Sequence, residues 1–294
     1  MTPAEEQLAY RISMKGMLIN FLLFIAKGIA GILIHSVSLL SDAVHSLTDI
    51  FSTLVVLVGI KISNKPADSS HPYGHEKIEC VIALLLGLML FGIGGIISWE
   101  GVVKLRNPVK GMGQIAILNL FAISAAIISI AAKEWMYRFT IRCAKKIHSP
   151  SMAADAWHHR SDAISSVGSL IGVTGICLGF PIIDVLACFI ISVFIFKAAY
   201  GICTDACERM IDAAGDKSAV ECIQNSILQI PDVLSLDLMK TRQFGSKLYV
   251  DVEVTLDRSM SFEQSHRVAH LIHDRVEGSV SQVKHCMVHV NPSA

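Results

Sequence analysis

The sequence predicts an α-helical membrane protein with six transmembrane helices and a small C-terminal α/β domain. Hydrophobic residues make up 52% of the 294 residues and charged residues only 17%, which departs from the usual composition of a soluble protein. In addition, six stretches of about 18 to 25 apolar residues are each long enough to cross a hydrocarbon core about 30 Å thick. These stretches are 14–34, 37–62, 78–99, 113–134, 151–179 and 182–203.

The placement of lysine and arginine predicts the orientation in the membrane. Basic residues precede the first span, flank the second loop and crowd the fourth loop, whereas the first and fifth loops have none. They are Arg11, Lys15, Lys61, Lys65, Lys77, Arg138, Arg142, Lys145 and Lys146. Lys104, Arg106 and Lys110 of the third loop would instead favour the opposite orientation. The majority predicts a multi-pass protein of the cell (inner) membrane with both termini in the cytoplasm.

The composition changes after residue 208, where charged residues become frequent and no apolar run is long enough to span a membrane. We therefore expect a transmembrane domain over 1–208 and a cytoplasmic domain over 209–294. In this tail, AVECIQNSILQI and FEQSHRVAHLIHDRV have helical periodicity, whereas LYVDVEVTL and KHCMVHV alternate as strands do. With a strand at LSLDLMKTR the order is αββαβ, which fits a ferredoxin-like sandwich.

A polar motif in the second span is repeated in the fifth span at an offset of 113 residues. The offset pairs Asp42 with Asp155, His45 with His158, and Asp49 with Asp162. Asp, His and Asp at i, i+3 and i+7 lie on one face of a helix. Since an odd number of crossings separates the two spans, they should run antiparallel, as in an inverted repeat with its site near the midplane. Inherited packing is the alternative explanation of the repeat.

The repeated motif predicts a metal site, because ionisable groups inside a membrane are costly unless they are paired or hydrated. The predicted ligands are His45, Asp49, His158 and Asp162. Two imidazoles and two carboxylates suit tetrahedral Zn²⁺ and tolerate Fe²⁺, Co²⁺ or Cd²⁺. Asp42 and Asp155 are expected to orient the imidazoles or to replace a ligand carboxylate. The alternative is a structural salt-bridge face, but no lysine or arginine except Arg160 lies beside the motifs.

A site of this kind predicts exchange of a divalent cation for protons. The ligands bind metal only when deprotonated, and imidazole titrates near neutrality, so protons from one side can displace metal taken up on the other. An intramembrane metallohydrolase would need an open coordination position and a general base. Neither HExxH nor a Gly-Asp pair occurs in a span, so we expect no enzyme. A membrane-anchored metal sensor or assembly partner is the other alternative, and the balanced charge gives no sign of a nucleic-acid partner.

These motifs resemble the cation diffusion facilitator family, a family of zinc- and iron-type transporters that exchange divalent metal for protons. The resemblance covers six spans, HxxxD in the second and fifth spans, the polar loop DSSHPYGH and the αββαβ tail. It implies a homodimer in the lipid bilayer that exports metal from the cytoplasm by alternating access, with no resident cofactor. Two HxxxD motifs are similar to the zinc-preferring pattern of the family, with iron as the alternative.

The resemblance also implies features outside the spans. In the loop after the second span, Asp68, His71 and His75 match a metal site of the family. Their i, i+3 and i+7 spacing would gather the side chains if the segment turned helically, whereas the alternative is a solvated loop. Lys77 and Asp212 match a charge pair that joins the membrane part to the soluble part.

In the tail, the resemblance implies metal binding at the dimer interface. Glu253, His266 and His289 fall on ligand positions of the family. Leu236 and Asn291 stand where relatives have a histidine and an aspartate, which implies one metal or a weaker site instead of a metal pair.

Taken without the resemblance, the histidines of the tail form two groups. His266, His270 and His273 share a helix face, whereas His285 and His289 share a strand face. These residues are either ligands or part of a solvated surface.

Overall fold

The computed structural model describes residues 3–33, 37–106, 120–177, 180 and 182–294. Six long helices come first: α1 (Pro3–Leu33), α2 (Val37–Ser63), α3 (Ile78–Arg106), α4 (Leu120–Ile147), α5 (Pro150–Cys177) and α6 (Ile182–Met210). The tail then contains α7 (Lys217–Leu228), β1 (Ser235–Phe244), β2 (Lys247–Leu256), α8 (Phe262–Ser279) and β3 (Val283–Pro292). The order of the tail elements is αββαβ, as predicted.

Four described helices are long and apolar enough to cross a membrane. They are Pro3–Ile29, His45–Ser63, Ile78–Arg106 and Ile182–Met210. The predicted fourth and fifth spans, 113–134 and 151–179, lie partly outside the described residues. The predicted fold class, membrane helices followed by a small α/β tail, is confirmed, while the count of six spans stays a prediction.

The two helices with the repeated motif pack against each other. Among the described side chains, His45 of α2 contacts Asp162 of α5, Asp49 contacts His158, and Thr53 contacts Asp155. Residue numbers rise along α2 while they fall along α5, so the two helices run antiparallel, as the repeat predicts. α5 also packs against α3, α4 and α6, which places the motif among several helices.

The tail is a three-stranded sheet with β2 in the centre. β2 pairs antiparallel with β1 and parallel with β3. A parallel pair needs a crossover connection, which α8 supplies. α8 begins at a capping box in which Ser261 and Gln264 satisfy each other's backbone N–H groups. Alternate residues of β2, such as Val252 and Val254, pack with α7 and α8 in one core, so both helices cover the same face of the sheet.

The turn between β1 and β2 contacts the loop that joins α2 to α3. Gly245 in this turn has a φ angle of 63°, and a Cβ there would collide with the backbone of Glu76, so only glycine permits this approach. Arg209 at the end of α6 donates to the carbonyl oxygen of Gly245 at 3.1 Å. The hydroxyl of Ser246 lies 3.4 Å from the buried carboxylate of Glu79 on α3. The tail therefore lies directly against the polar loop.

Candidate metal centres

The four predicted transport ligands converge where α2 crosses α5. His45 Nε2 lies 3.4 Å from Asp162 Oδ1, and His158 Nε2 lies 3.1 Å from Asp49 Oδ1. Within α2, His45 Nε2 lies 4.0 Å from Asp49 Oδ1. Within α5, His158 Nε2 lies 3.9 Å from Asp162 Oδ2. The ligand atoms of His45, Asp49 and Asp162 all lie within 4.8 Å of one another, which suits a metal ion whose neighbouring ligands are about 3.4 Å apart, and His158 lies beside this group.

The burial of the cluster is uneven. Asp49, His158 and Asp162 are only 1%, 3% and 7% exposed, whereas the side chain of His45 is 49% exposed. Nδ1 of His158 is buried and has no hydrogen-bond partner among the described residues. The carboxylates are therefore enclosed, whereas His45 lies at the edge of the cluster.

A lysine that the sequence prediction missed completes the cluster. Lys133 of α4 is 3% exposed, and its Nζ lies 2.9 Å from Asp162 Oδ2 and also pairs with Asp49. The sequence predicts that no lysine or arginine except Arg160 lies beside the motifs. This prediction is wrong, because Lys133 is distant in the sequence but contacts both carboxylates in the folded chain. Arg160 instead lies over the ring of Tyr137, 4.4 Å from its centroid. The available signal was a lysine within the fourth apolar stretch, since a buried charge in a span needs a partner.

Asp155 contacts different groups from those expected. The sequence predicts that it orients a ligand imidazole or replaces a ligand carboxylate. In the structure the hydroxyl of Thr53 donates to Asp155 Oδ1 at 3.2 Å, and His159 Nε2 lies 3.7 Å from Asp155 Oδ2. The imidazole beside Asp155 is thus that of His159, which is itself buried. The side chain of Asp42 lies outside the described residues.

Asp68, His71 and His75 form a second cluster in the loop between α2 and α3. Their ligand atoms lie within 4.8 Å of one another, with Asp68 Oδ1 3.4 Å from His71 Nδ1 and Asp68 Oδ2 3.5 Å from His75 Nε2. Residues 64–77 form turns and bends instead of the helical turn that the spacing suggested. The backbone N–H of His71 and the hydroxyl of Ser70 donate to Asp68 Oδ1 at 2.7 and 2.8 Å. These hydrogen bonds, the one from the Ser70 side chain foremost, lower the pKa of Asp68 to about 2 and keep it ionised as a ligand must be.

The predicted tail ligands do not form a metal-sized group within the described part of one chain. Glu253 and His289 are partners across β2 and β3, and they alternate with the residues that face the core. His266 is exposed on α8, which packs against the other face of the sheet. A metal site made of these three residues stays a prediction.

Leu236 and Asn291, the two residues of the tail that differ from the family pattern, both make contacts within the tail fold. Leu236 packs against the tail core. Asn291 donates from Nδ2 to Asp237 Oδ2 at 3.0 Å, and the hydroxyl of Thr255 donates to the same oxygen at 2.7 Å. An aspartate at position 291 would place a second carboxylate beside Asp237, which explains why an amide suits this position.

Lys77 and Asp212 lie in contact at the junction between the loop and the tail. The ammonium of Lys77 lies 2.9 Å from Asp212 Oδ1, donates to the Met210 carbonyl at 3.1 Å and lies 5.1 Å from the centroid of the Phe244 ring. Asp212 has a φ angle of 66°, just after α6 ends. The lysine therefore holds the end of α6 and the start of the tail against the loop.

Two family profiles match the chain. The cation efflux transmembrane domain matches residues 14–211, and the cytoplasmic domain of cation efflux proteins matches residues 216–293. Together they cover both the helical part and the α/β tail.

Three relatives illustrate the similarity. An uncharacterised transporter of Methanocaldococcus jannaschii is 33% identical over 272 residues, which cover 92% of this chain and 94% of the relative. Metal tolerance protein C1 of Arabidopsis thaliana is 32% identical, and the match covers 99% of this chain but only 64% of that protein. The manganese efflux system protein MneP of Bacillus subtilis is 28% identical, with 99% of both chains covered.

These matches extend over nearly the whole chain, and they agree with the paired motifs of α2 and α5 and with the tail fold. The resemblance inferred from the motifs is confirmed. The chain therefore belongs to the cation efflux family, the cation diffusion facilitators, whose members are membrane transporters of divalent metal ions and not enzymes.

Proposed function

We propose that this protein exports a divalent metal ion from the cytoplasm in exchange for protons, and that His45, Asp49, His158 and Asp162 bind the transported ion. Export of a divalent cation follows from membership of the family. The ligands, the ion and the proton coupling are the proposal. The observation that carries it is the convergence of two imidazoles and two carboxylates from the antiparallel helices α2 and α5.

The proposed ion is Zn²⁺, with Fe²⁺, Co²⁺ and Cd²⁺ as alternatives. Two imidazole nitrogens and two carboxylate oxygens suit a borderline cation, whereas Mn²⁺ prefers a set richer in oxygen. The relative MneP is named for manganese efflux, so the family includes proteins that bear the name of another metal. The two histidines are the feature that favours zinc in this chain.

The contact between His158 and Asp49 supports coupling to protons. Nε2 of His158 lies 3.1 Å from Asp49 Oδ1, and an ionised carboxylate only accepts hydrogen bonds, so this nitrogen carries a proton in the metal-free arrangement. A metal ion needs the same nitrogen deprotonated. Binding of metal at this point therefore releases a proton, and protonation from the opposite side expels the metal.

The proposal also assigns roles to the two domains, the orientation of the chain and the loop between α2 and α3. We propose that 1–208 form the transport domain and 209–294 a cytoplasmic domain through which two chains form a homodimer. Both termini would lie in the cytoplasm, and the membrane would be the cell (inner) membrane. Asp68, His71 and His75 would bind a second ion beside the tail.

Lys133 favours a second reading of the transport cluster. Its ammonium pairs with both carboxylates, so the cluster also satisfies the requirements of a buried ion-pair network that stabilises the fold. A chain with such a network would keep the fold of the family and act as a metal sensor or assembly partner. Transport measurements separate the two readings.

The experiment is metal uptake into sealed proteoliposomes with an acidic interior, comparing Zn²⁺, Fe²⁺, Cd²⁺ and Mn²⁺. The parent protein should take up Zn²⁺ only while the proton gradient lasts, and Asp49→Ala and Asp162→Ala should abolish the uptake while the dimer persists. Asp184→Ala is the matched control, because Asp184 of α6 is a buried carboxylate paired with Lys104 of α3 at 2.8 Å.

Each outcome separates the candidates. Gradient-dependent uptake that is lost in Asp162→Ala and kept in Asp184→Ala supports the antiporter. Full uptake in Asp162→Ala would remove the cluster as the transport site. No uptake of any ion by folded parent protein would favour the sensor or partner.

A further inference from the structure

The end of α8 and the start of β3 bring together a histidine–glutamate–histidine cluster that neither the transport site nor the loop site uses. His273 Nε2 lies 3.2 Å from Glu277 Oε1, and His285 Nδ1 lies 3.3 Å from the same oxygen. The ligand atoms of the three residues all lie within 4.8 Å of one another. These separations match the roughly 3.4 Å between neighbouring ligands of a tetrahedral zinc ion.

Two of the three residues of the cluster lie on one helix, and the third lies on the neighbouring strand. His273 and Glu277 are four residues apart on α8, so they project from one face of the helix. His285 comes from β3, which begins shortly after α8 ends and packs against it. The end of α8 and the start of β3 therefore place the three side chains next to one another.

The backbone of Cys286 holds two of the three side chains in position. His273 Nδ1 lies 2.8 Å from the carbonyl oxygen of Cys286, and since a carbonyl only accepts, this nitrogen carries the proton. The Nε2 atom is then left with its lone pair toward Glu277, as a metal ligand requires. Glu277 Oε1 in turn accepts from the backbone N–H of Cys286 at 3.2 Å. Backbone support of this kind is typical of the groups that orient metal ligands.

We infer that His273, Glu277 and His285 bind a borderline divalent cation, with Zn²⁺ as the best match, at a site in the tail of a single chain. Two imidazoles and one carboxylate form a three-ligand set that leaves a fourth position for water or another ligand. Hard cations such as Mg²⁺ and Ca²⁺ prefer oxygen ligands and would bind weakly. The three side chains are 30%, 32% and 48% exposed, so an ion can reach them from solution.

This site lies next to the contact between the tail and the polar loop. Lys284, the residue before His285, pairs with Glu76 and donates to the Tyr73 carbonyl at 3.0 Å. The hydroxyl of Tyr249 donates to the same carbonyl at 3.1 Å, and its ring lies edge-on to His285 with centroids 6.3 Å apart. A metal ion bound by His285 is therefore one residue away from the side chains that join the tail to the membrane part.

The test is the number of zinc ions bound by the full-length protein in detergent, measured by equilibrium dialysis and elemental analysis. His273→Ala and His285→Ala should each bind one zinc ion fewer per chain, or bind that ion at least about tenfold more weakly. Glu277→Gln, which keeps the shape of the side chain, should also weaken zinc binding. The control is His270→Ala, which removes an exposed histidine of the same helix that is not a member of the cluster. Circular dichroism and the dimer fraction verify the fold of each variant.

An unchanged zinc count and affinity in folded His273→Ala and Glu277→Gln would overturn the inference. An equal loss in His270→Ala would also overturn it, because zinc would then be bound by a histidine-rich surface and not by this cluster. The comparison is between parent and tail variants of the same chain. The zinc count therefore tests the tail site independently of the transport site, which Asp162→Ala tests by metal flux.

Discussion

Lys133 of α4 and Asp162 of α5 form a buried ion pair, with Nζ 2.9 Å from Oδ2, and the same ammonium also pairs with Asp49. The lysine therefore lies where the two carboxylates would hold a metal ion. If Asp49 and Asp162 bind the transported ion as proposed, the metal and the lysine ammonium compete for the same oxygen atoms, and the lysine has to move aside.

Replacing this lysine should make the chain depend on metal. In Lys133→Met the carboxylates of Asp49 and Asp162 keep their histidine contacts but lose the ammonium, and removing one partner from a buried ion pair typically costs about 3–5 kcal/mol. We expect the metal-free variant to unfold at a lower temperature than the parent. Zn²⁺ should raise the unfolding temperature more than in the parent and bind about tenfold more tightly, because it no longer displaces a cation. Thermal unfolding with and without Zn²⁺ measures both effects.

The matched control for this variant is Lys104→Met, which removes the lysine that pairs with Asp184 between α3 and α6. It should lower stability without changing the effect of Zn²⁺. If Lys133→Met and Lys104→Met respond alike to Zn²⁺, the lysine does not compete with the metal.

The ion preference should follow the two imidazoles. In His158→Asp an oxygen ligand replaces a nitrogen ligand, which favours Mn²⁺ over Zn²⁺. We expect the ratio of Mn²⁺ to Zn²⁺ uptake to rise by about tenfold, a change of about 1.4 kcal/mol in relative binding. His45→Asp should shift the ratio in the same direction. Competition between the two ions in proteoliposomes measures it, and an unchanged ratio in both variants would show that these imidazoles do not select the ion.

The loop cluster should bind one ion independently of the transport cluster. Asp68→Asn removes the carboxylate that lies between His71 and His75, so the variant should bind one Zn²⁺ fewer per chain. Ser69→Ala changes a neighbouring side chain and should leave the count unchanged. Elemental analysis of the dialysed protein gives the count. Equal zinc content in Asp68→Asn and the parent would leave the loop as a solvated segment.

The charge pair at the junction should contribute little to stability. The side chains of Lys77 and Asp212 are 35% and 46% exposed, and exposed pairs typically contribute about 0.2–1 kcal/mol. A double-mutant cycle with Lys77→Met and Asp212→Asn should give a coupling energy in this range that falls as salt is added. Purely additive effects of the two substitutions would mean that the pair is not formed in solution.

The thiol of Cys286 should be unreactive while the tail is folded. Its burial raises the pKa to about 12, and since a raised thiol pKa keeps the group protonated, almost no thiolate exists near pH 8. Cys222 on α7 is exposed and serves as the internal reference. Mass spectrometry after brief treatment with iodoacetamide should find Cys222 alkylated and Cys286 intact, and denaturant should expose both. Equal rates in the folded protein would contradict this burial.

The amino-acid sequence was sufficient to predict which candidate ligands share a helix face. An α-helix repeats every 3.6 residues whatever packs against it, so the spacing within α2 already placed His45 beside Asp49, and the repeat placed His158 beside Asp162 in α5. Composition likewise separated the membrane part from the tail, and local periodicity determined the αββαβ order. These properties are local, and a linear pattern is sufficient to encode them.

The groups that complete each cluster follow from packing in three dimensions. Lys133 reaches the predicted transport ligands because α4 packs along α5, and His285 lies beside Glu277 because β3 packs against α8. Hydrogen bonds within a turn, and not a helix, gather the loop ligands around Asp68. These arrangements depend on packing between different helices and strands and on the conformation of a loop, and neither leaves a periodic signal.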